Sequence, residues 1–212
     1  MSVTGIFVVV EGPEGAGKST LVRALAARLL AEGSPVLTVR EPGGTPVAEA
    51  ARKVALRSQH ELSAAAELFL ILAARADLVS RVIRPALEGG QVVLADRFDP
   101  STPAYQVAGR GLSAADVDAA LRLATGGLVP DRTLVLDVPV ETGRERQRRA
   151  RKVQDRFERE DDGFHDRVRV AYRAAMGPGV VHVDATGSKQ TVLEAAWRIL
   201  QAVAAPTTRG VS

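Results

Sequence analysis

An α/β fold of repeated β-α units is predicted by three observations. Ile6 to Val10 is an apolar, β-branched run without polar alternation, the pattern of a strand buried on both faces. It feeds directly into Gly12-x-x-x-x-Gly17-Lys18-Ser19, after which Leu21, Val22, Leu25, Leu29 and Leu30 recur at helical spacing. Further short apolar runs, each closed by a turn signal, then alternate with helical patterns to the end of the chain.

Strand, glycine loop and helix together form a phosphate-binding P-loop. Gly12, Gly15 and Gly17 can take backbone conformations closed to other residues, so successive N–H groups turn inward as a nest at a helix N-terminus. The stretch Gly12, Pro13, Glu14, Gly15, Ala16, Gly17, Lys18, Ser19 and Thr20 is therefore assigned to the polyphosphate of a nucleotide such as ATP. Lys18 is placed at the β and γ phosphates, and the Ser19 hydroxyl on a Mg²⁺ carried in with the nucleotide.

The 212 residues suit one domain, assigned to 1–205, with a disordered tail at 206–212. The net charge of +3 is small for the length and does not argue for nucleic acid. Cysteine is absent, which excludes disulfides and thiolate metal sites, and the three histidines His60, His165 and His182 lack metal-ligand spacing. No leader pattern or bilayer-length apolar run occurs, so the expectation is a soluble cytoplasmic protein with no membrane partner.

In chain order, Glu32-Gly33-Ser34-Pro35 stops the first helix and Val36 to Val39 reads as a second buried strand. The strand ends at the loop Arg40-Glu41-Pro42-Gly43-Gly44-Thr45, at the carboxyl end where parallel sheets carry function. Ala48 to Leu56 reads as helix. Ser63 caps a longer helix through Arg75 to about Leu87, with Pro85 expected to bend or end it. Gln91 to Ala95 is a third strand closing in Asp96-Arg97. An apolar strand ending in Asp is the Walker-B form; alone it is an ordinary strand end, but beside a P-loop it points to Asp96 as a magnesium ligand and Arg97 as a bidentate phosphate fork. Ser101-Thr102-Pro103-Ala104-Tyr105-Gln106 and Gly109-Arg110-Gly111 follow on a loop or short helix start. Ser113 caps a helix to Ala124, Thr133 to Val138 and Val180 to Val183 are strands four and five, and helices are read over Gly163 to Met176 and Lys189 to Val203.

Between Val140 and Glu160 apolar positions thin out and arginines crowd among acidic residues. A solvated helix face, a nucleic-acid patch, and a mobile arginine lid over ATP, about 144–160, compete. The first is the default for mixed charge, and the second wants aromatic interleaving where only Phe157 is present. The P-loop favours the lid, because phosphoryl transfer wants positive charge on the equatorial oxygens and exclusion of water.

The ordered set of P-loop, REPGG loop, Asp96-Arg97-Phe98, S-T-x-A-Y-Q, Gly109-Arg110-Gly111, Asp155-Arg156-Phe157-Glu158 and the Asp184-Ala185-Thr186 loop resembles the thymidylate kinases of the bacterial type from Ile6 to about Leu200. The resemblance implies a three-layer P-loop NTPase fold with a five-stranded parallel sheet, a homodimer, and transfer of the γ-phosphoryl group of ATP to dTMP. It places Glu14 near the acceptor 3′-hydroxyl, Arg97 on the acceptor phosphate, Arg75 at the thymine O4 edge and Tyr105 against the 2′ position. Ser101, Thr102 and Gln106 line the base and sugar side, where the loop of Arg40, Glu41 and Pro42 also belongs, with Glu41-Pro42 often cis. Arg149, Arg151 and Arg156 address ATP phosphates, consistent with a P-loop that holds no arginine of its own. Four residues before Arg75 the family has a phenylalanine stacked on thymine where this chain has Ile71, which implies weaker dTMP affinity or a shifted helix register. A kinase for another deoxynucleotide is the rival reading, and a non-catalytic nucleotide switch a more distant one.

Overall fold

The computed structural model describes residues 5–150 and 155–204. Strand β1 (Ile6–Glu11) runs through the glycine loop into α1 (Lys18–Ala31), and β2 (Val36–Arg40) and α2 (Pro46–Arg57) follow. A long helical stretch comprises α3 (Ala64–Leu78), a π-type turn (Val79–Ile83) and α4 (Arg84–Glu88), and leads to β3 (Val92–Asp96). After a second π-type segment (Pro103–Gly109) come α5 (Ala114–Thr125), β4 (Arg132–Asp137), α6 (Val140–Ala150), α7 (Asp162–Arg173), β5 (Val180–Asp184) and α8 (Lys189–Ala204).

The five strands pair in parallel in the order β2-β3-β1-β4-β5, so the strand that carries the glycine loop is central. Alternate residues of each strand point to opposite faces. Val8 and Val10 pack with Leu25, Leu29 and Trp197 of α1 and α8, whereas Phe7 and Val9 pack with Leu78, Val79 and Ile83 on the other side. That two-sided burial is why β1 reads as an unbroken apolar run. Pairing of Val10 with Asp96 brings the carboxyl ends of β1 and β3 side by side, which sets the glycine loop next to Asp96-Arg97.

The caps read from the sequence form: the Ser63 hydroxyl accepts from Ala66 N–H at 3.2 Å and the Ser113 hydroxyl from Asp116 N–H at 3.4 Å. The helical stretch runs close to the Leu87 expected, and of the two effects expected of Pro85 an end is the one not seen. Helical chain continues to Glu88, because the turn ahead of the proline widens so that Arg84 N–H reaches back five residues to the Val79 carbonyl. The segment Pro103–Gly109, expected as a loop or helix start, is likewise a π-type turn. The tail at 206–212 lies outside the described residues. No helix among the described residues is long and apolar enough to cross a membrane.

Candidate active site

A single cavity of about 850 Å³ opens over the carboxyl ends of β1 and β3. One end is lined by Gly15 to Thr20, Asp96 and residues of α6 and α8, the other by Arg40, Pro42, Ile71, Arg75 and Tyr105. The loop between them has the backbone predicted for a nest: Gly12, Gly15 and Gly17 all have positive φ, at 132°, 74° and 102°. A Cβ on Gly12 would lie 2.5 Å from the Leu136 carbonyl oxygen, and one on Gly15 would overlap that of Gly143, so space as well as conformation demands glycine at both positions.

Lys18 is buried in this loop, its Nζ donating to the carbonyls of Gly12 at 2.9 Å and Pro13 at 2.7 Å. Burial, with Arg97 nearby, pushes its pKa down to about 8. The Ser19 hydroxyl donates to Asp96 Oδ2, so the two predicted metal ligands converge. Two hard oxygens do not make a complete site, and no group of three acidic, His or Cys side chains that could hold a metal occurs among the described residues. That donor set fits a Mg²⁺ whose remaining ligands are phosphate oxygens and water.

Arg97 is the sole non-glycine residue with positive φ among those described, at 75°. Its backbone N–H donates to Val10 O at 3.0 Å, which fixes the turn, and its side chain swings back over the glycine loop. Nη1 donates to Gly12 O at 3.3 Å and to the Tyr172 hydroxyl at 3.0 Å, and Nη2 donates to Glu14 Oε1 at 2.8 Å. The Tyr105 hydroxyl donates to the same Glu14 oxygen. Burial pushes the Glu14 carboxyl up, but Arg97 and Lys18 together hold it below the ordinary carboxylate range.

The acceptor-side residues are brought together as expected, with one difference of kind. Arg75 is buried, donating through Nε to Glu41 Oε2 at 2.6 Å, through Nη1 to Thr102 Oγ1 at 2.7 Å and through Nη2 to Phe98 O at 2.8 Å. It lines the cavity as a braced wall more than as a free hand. Burial, partly offset by Arg75, pushes Glu41 up to about 7, and its Oε1 is buried without a partner. The Glu41–Pro42 peptide is cis. Ile71 lines the cavity one turn before Arg75, so the helix register is unshifted, and Phe69 is 63% exposed and turned away.

The arginines assigned to ATP divide. Arg149 of α6 lines the cavity and pairs with Glu145 at 2.5 Å, the i,i+4 pattern of a solvated helix face. Arg156 does not line the cavity; its guanidinium pairs with the buried Glu67, which draws it toward the acceptor side and away from the role expected for it. Arg151 lies outside the described residues. Arg146, not singled out from the sequence, lines the cavity and donates to Ala185 O at 3.0 Å.

Two buried carboxylates escaped the sequence reading. Glu11, fully buried at the end of β1, accepts from Phe98 N–H at 2.7 Å, from Ser101 Oγ at 2.8 Å and from the Tyr172 hydroxyl at 2.9 Å. It thereby braces the turn that aims Arg97. Glu67 accepts from Gln106 Nε2 at 3.0 Å, from Arg110 Nη2 at 2.9 Å and from Arg156. Only an acidic residue ending an apolar strand, or set among alanines and leucines on a helix, hints at them, and neither signal names the distant partner.

Residues 10–196 match the family model of thymidylate kinases. The chain is 54% identical over 179 residues to a thymidylate kinase of Pseudomonas fluorescens, covering 83% of this chain and 85% of that one. It is 53% identical over 171 residues to one of Pseudomonas syringae pv. syringae, covering 80% and 81%, and 50% identical over 179 residues to one of Pseudomonas putida, covering 83% and 85%.

Proposed function

The chain belongs to the thymidylate kinase family, and from that premise we propose that its cavity binds ATP at the glycine loop and dTMP at the Arg75 end. It phosphorylates dTMP to dTDP at the expense of ATP. The observation that carries the residue assignments is the position of Arg97: its guanidinium reaches Gly12 O at 3.3 Å, so a monophosphate on this arginine lies beside a polyphosphate in the nest.

The acceptor phosphate oxygen is already a nucleophile near neutral pH, so the chain supplies position and charge and no general base. Lys18 exchanges its backbone carbonyl partners for the β and γ phosphates of ATP, and the anions restore the proton that burial weakens. Arg97 exchanges Glu14 for the acceptor phosphate, which frees Glu14 for the sugar hydroxyl. Ser19 and Asp96 hold Mg²⁺, which neutralises phosphate charge when bound. Arg149 and Arg151 approach the transferring group from the lid, about 144–160, supplying the arginine that the P-loop lacks. Ser101, Thr102, Tyr105 and Gln106 shape the sugar and base side with Arg40, Glu41 and Pro42. We assign 1–205 to one kinase domain, the working form to a homodimer, and the location to the cytoplasm, with no nucleic-acid or membrane partner.

A coupled ADP-release assay across dTMP, dUMP, dCMP, dGMP and dAMP tests the reading. Turnover with dTMP is expected to exceed the others at equal concentration, and Lys18→Ala to lose phosphoryl transfer by roughly a thousandfold with its melting temperature kept. Preference for another acceptor would remove dTMP, and retained turnover would remove Lys18.

A further inference from the structure

Beyond the assignments above, we propose that Phe157 is the aromatic side chain that contacts the acceptor base, and that Glu67 is the positioning residue that holds it there. This rests on dTMP being the acceptor. A pyrimidine is a flat, largely apolar plate, and it needs an equally flat wall. Helix α3 does not supply one: Ile71 faces the cavity, and Phe69 is on the exposed side. Two aromatic rings, Tyr105 and Phe157, line the cavity at this end.

The Tyr105 ring is enclosed. Phe157 packs edge-on against it at 5.2 Å and 75°, Phe164 and Tyr172 close it from other sides at 6.1 and 6.3 Å, and its hydroxyl is held by Glu14. The Phe157 ring, clustered with Leu56 and Ile71, has Phe164 stacked against it at 6.4 Å and 21°, and the part of it that lines the cavity is the aromatic surface left to meet a base.

Its carrier is not part of the helical scaffold. Phe157 sits in the segment 155–160 beyond α6, and that segment is clasped to the core at defined points. Arg156 N–H donates to Leu56 O at 3.2 Å, the Arg156 guanidinium pairs with Glu67, and Glu160 pairs with Arg110 at 2.6 Å. Arg110 in turn donates to Glu67 and lies over the Phe157 ring, 5.6 Å from its centroid. Asp155 and Glu158 exchange backbone-to-carboxylate hydrogen bonds at 3.0 Å, which stiffens the turn under the ring. Glu67 also holds Gln106, so one fully buried carboxylate ties the base-side floor to the segment that bears the wall.

The experiment measures KM for dTMP and for ATP separately, with thermal melts of every protein. Wild-type turnover of dTMP is the control: without it the acceptor assignment fails, whatever the variants do. With it, Phe157→Leu is expected to raise KM for dTMP about five- to tenfold, with KM for ATP within about twofold, and Phe157→Tyr to stay near wild type. Phe157→Met replaces the leucine variant if that one melts below the assay temperature. Glu67→Gln is expected to raise KM for dTMP more than it lowers kcat, and to add little in the Phe157→Leu background, since both changes remove the same contact. An unchanged KM for dTMP in the ring-less variants, or a rise confined to ATP, overturns the role of Phe157. Additive effects of the two substitutions overturn that of Glu67.

Discussion

Arg97 shows how much one residue's backbone can decide. Its positive φ turns a side chain that would otherwise follow the strand direction back over the glycine loop, and Glu11 pays for the turn by accepting the next N–H, that of Phe98, at 2.7 Å. Arg97→Ala should therefore raise KM for dTMP and lower kcat, together roughly a hundredfold or more in kcat/KM, because clamp and transition-state charge are lost at once. A change confined to KM for ATP would place the arginine on the donor instead. Asp99 carries a pH prediction. Burial pushes its carboxyl from 3.8 to about 6 although Arg75 pulls it down, and its Oδ1 is buried without a partner. A carboxyl raised in the folded state binds more protons there than in the unfolded chain, so stability that is full below 3.8 is lost as pH climbs through about 6. Asp99→Asn removes that loss: its melting temperature should exceed wild type by about 2–4 °C at pH 8, roughly 1 kcal/mol, with the gap closing toward pH 4. A gap independent of pH would show that the carboxylate is not the cause.

At the scale of elements, the strands and the glycine loop were legible because their signals are local: a two-sided strand is a short apolar run, and a nest needs glycine. The widened turn before Pro85 was not, since sequence pattern shows that the proline is costly without showing how the helix yields around it. Glu11, Glu67 and Tyr172 were missed because each matters through a partner far along the chain; Tyr172 and Glu11 are 161 residues apart. The same holds for the seat of α6 on the phosphate loop. Gly143 stands on the loop so closely that a Cβ there would lie 2.7 Å from Glu14 O, and the Gly15 side of the contact is equally crowded. Gly143→Ala should lift α6 from the loop without adding or removing a charge, so kcat/KM for ATP is expected to fall roughly tenfold or more while the protein stays folded, by circular dichroism and melting. Wild-type kinetics in this variant would mean that the loop and α6 adjust independently.

For the molecule as a whole, the decisive property is that donor and acceptor ends are one cavity, lined continuously from Lys189 of α8 past the glycine loop to Ile71 of α3. Two separate clefts would bind two nucleotides independently. A shared cavity with Arg97 at its middle must bring both phosphate groups under the same set of cations, so the anions repel unless those cations are present together. A dinucleotide that links adenosine and thymidine through five phosphates fills both ends with one binding event and avoids the second loss of translational freedom. At a hundred times its dissociation constant it should stabilise the fold by about 2.7 kcal/mol, a rise of roughly 5–10 °C in melting temperature at this chain length. ATP and dTMP added singly at the same concentration should each give a much smaller rise, and Arg97→Ala should cut the gain from the dinucleotide more than the gain from ATP. If instead the dinucleotide shifted the melt no further than ATP alone, its thymidine half would be unbound, and the two ends of the cavity would have to be read as separate sites.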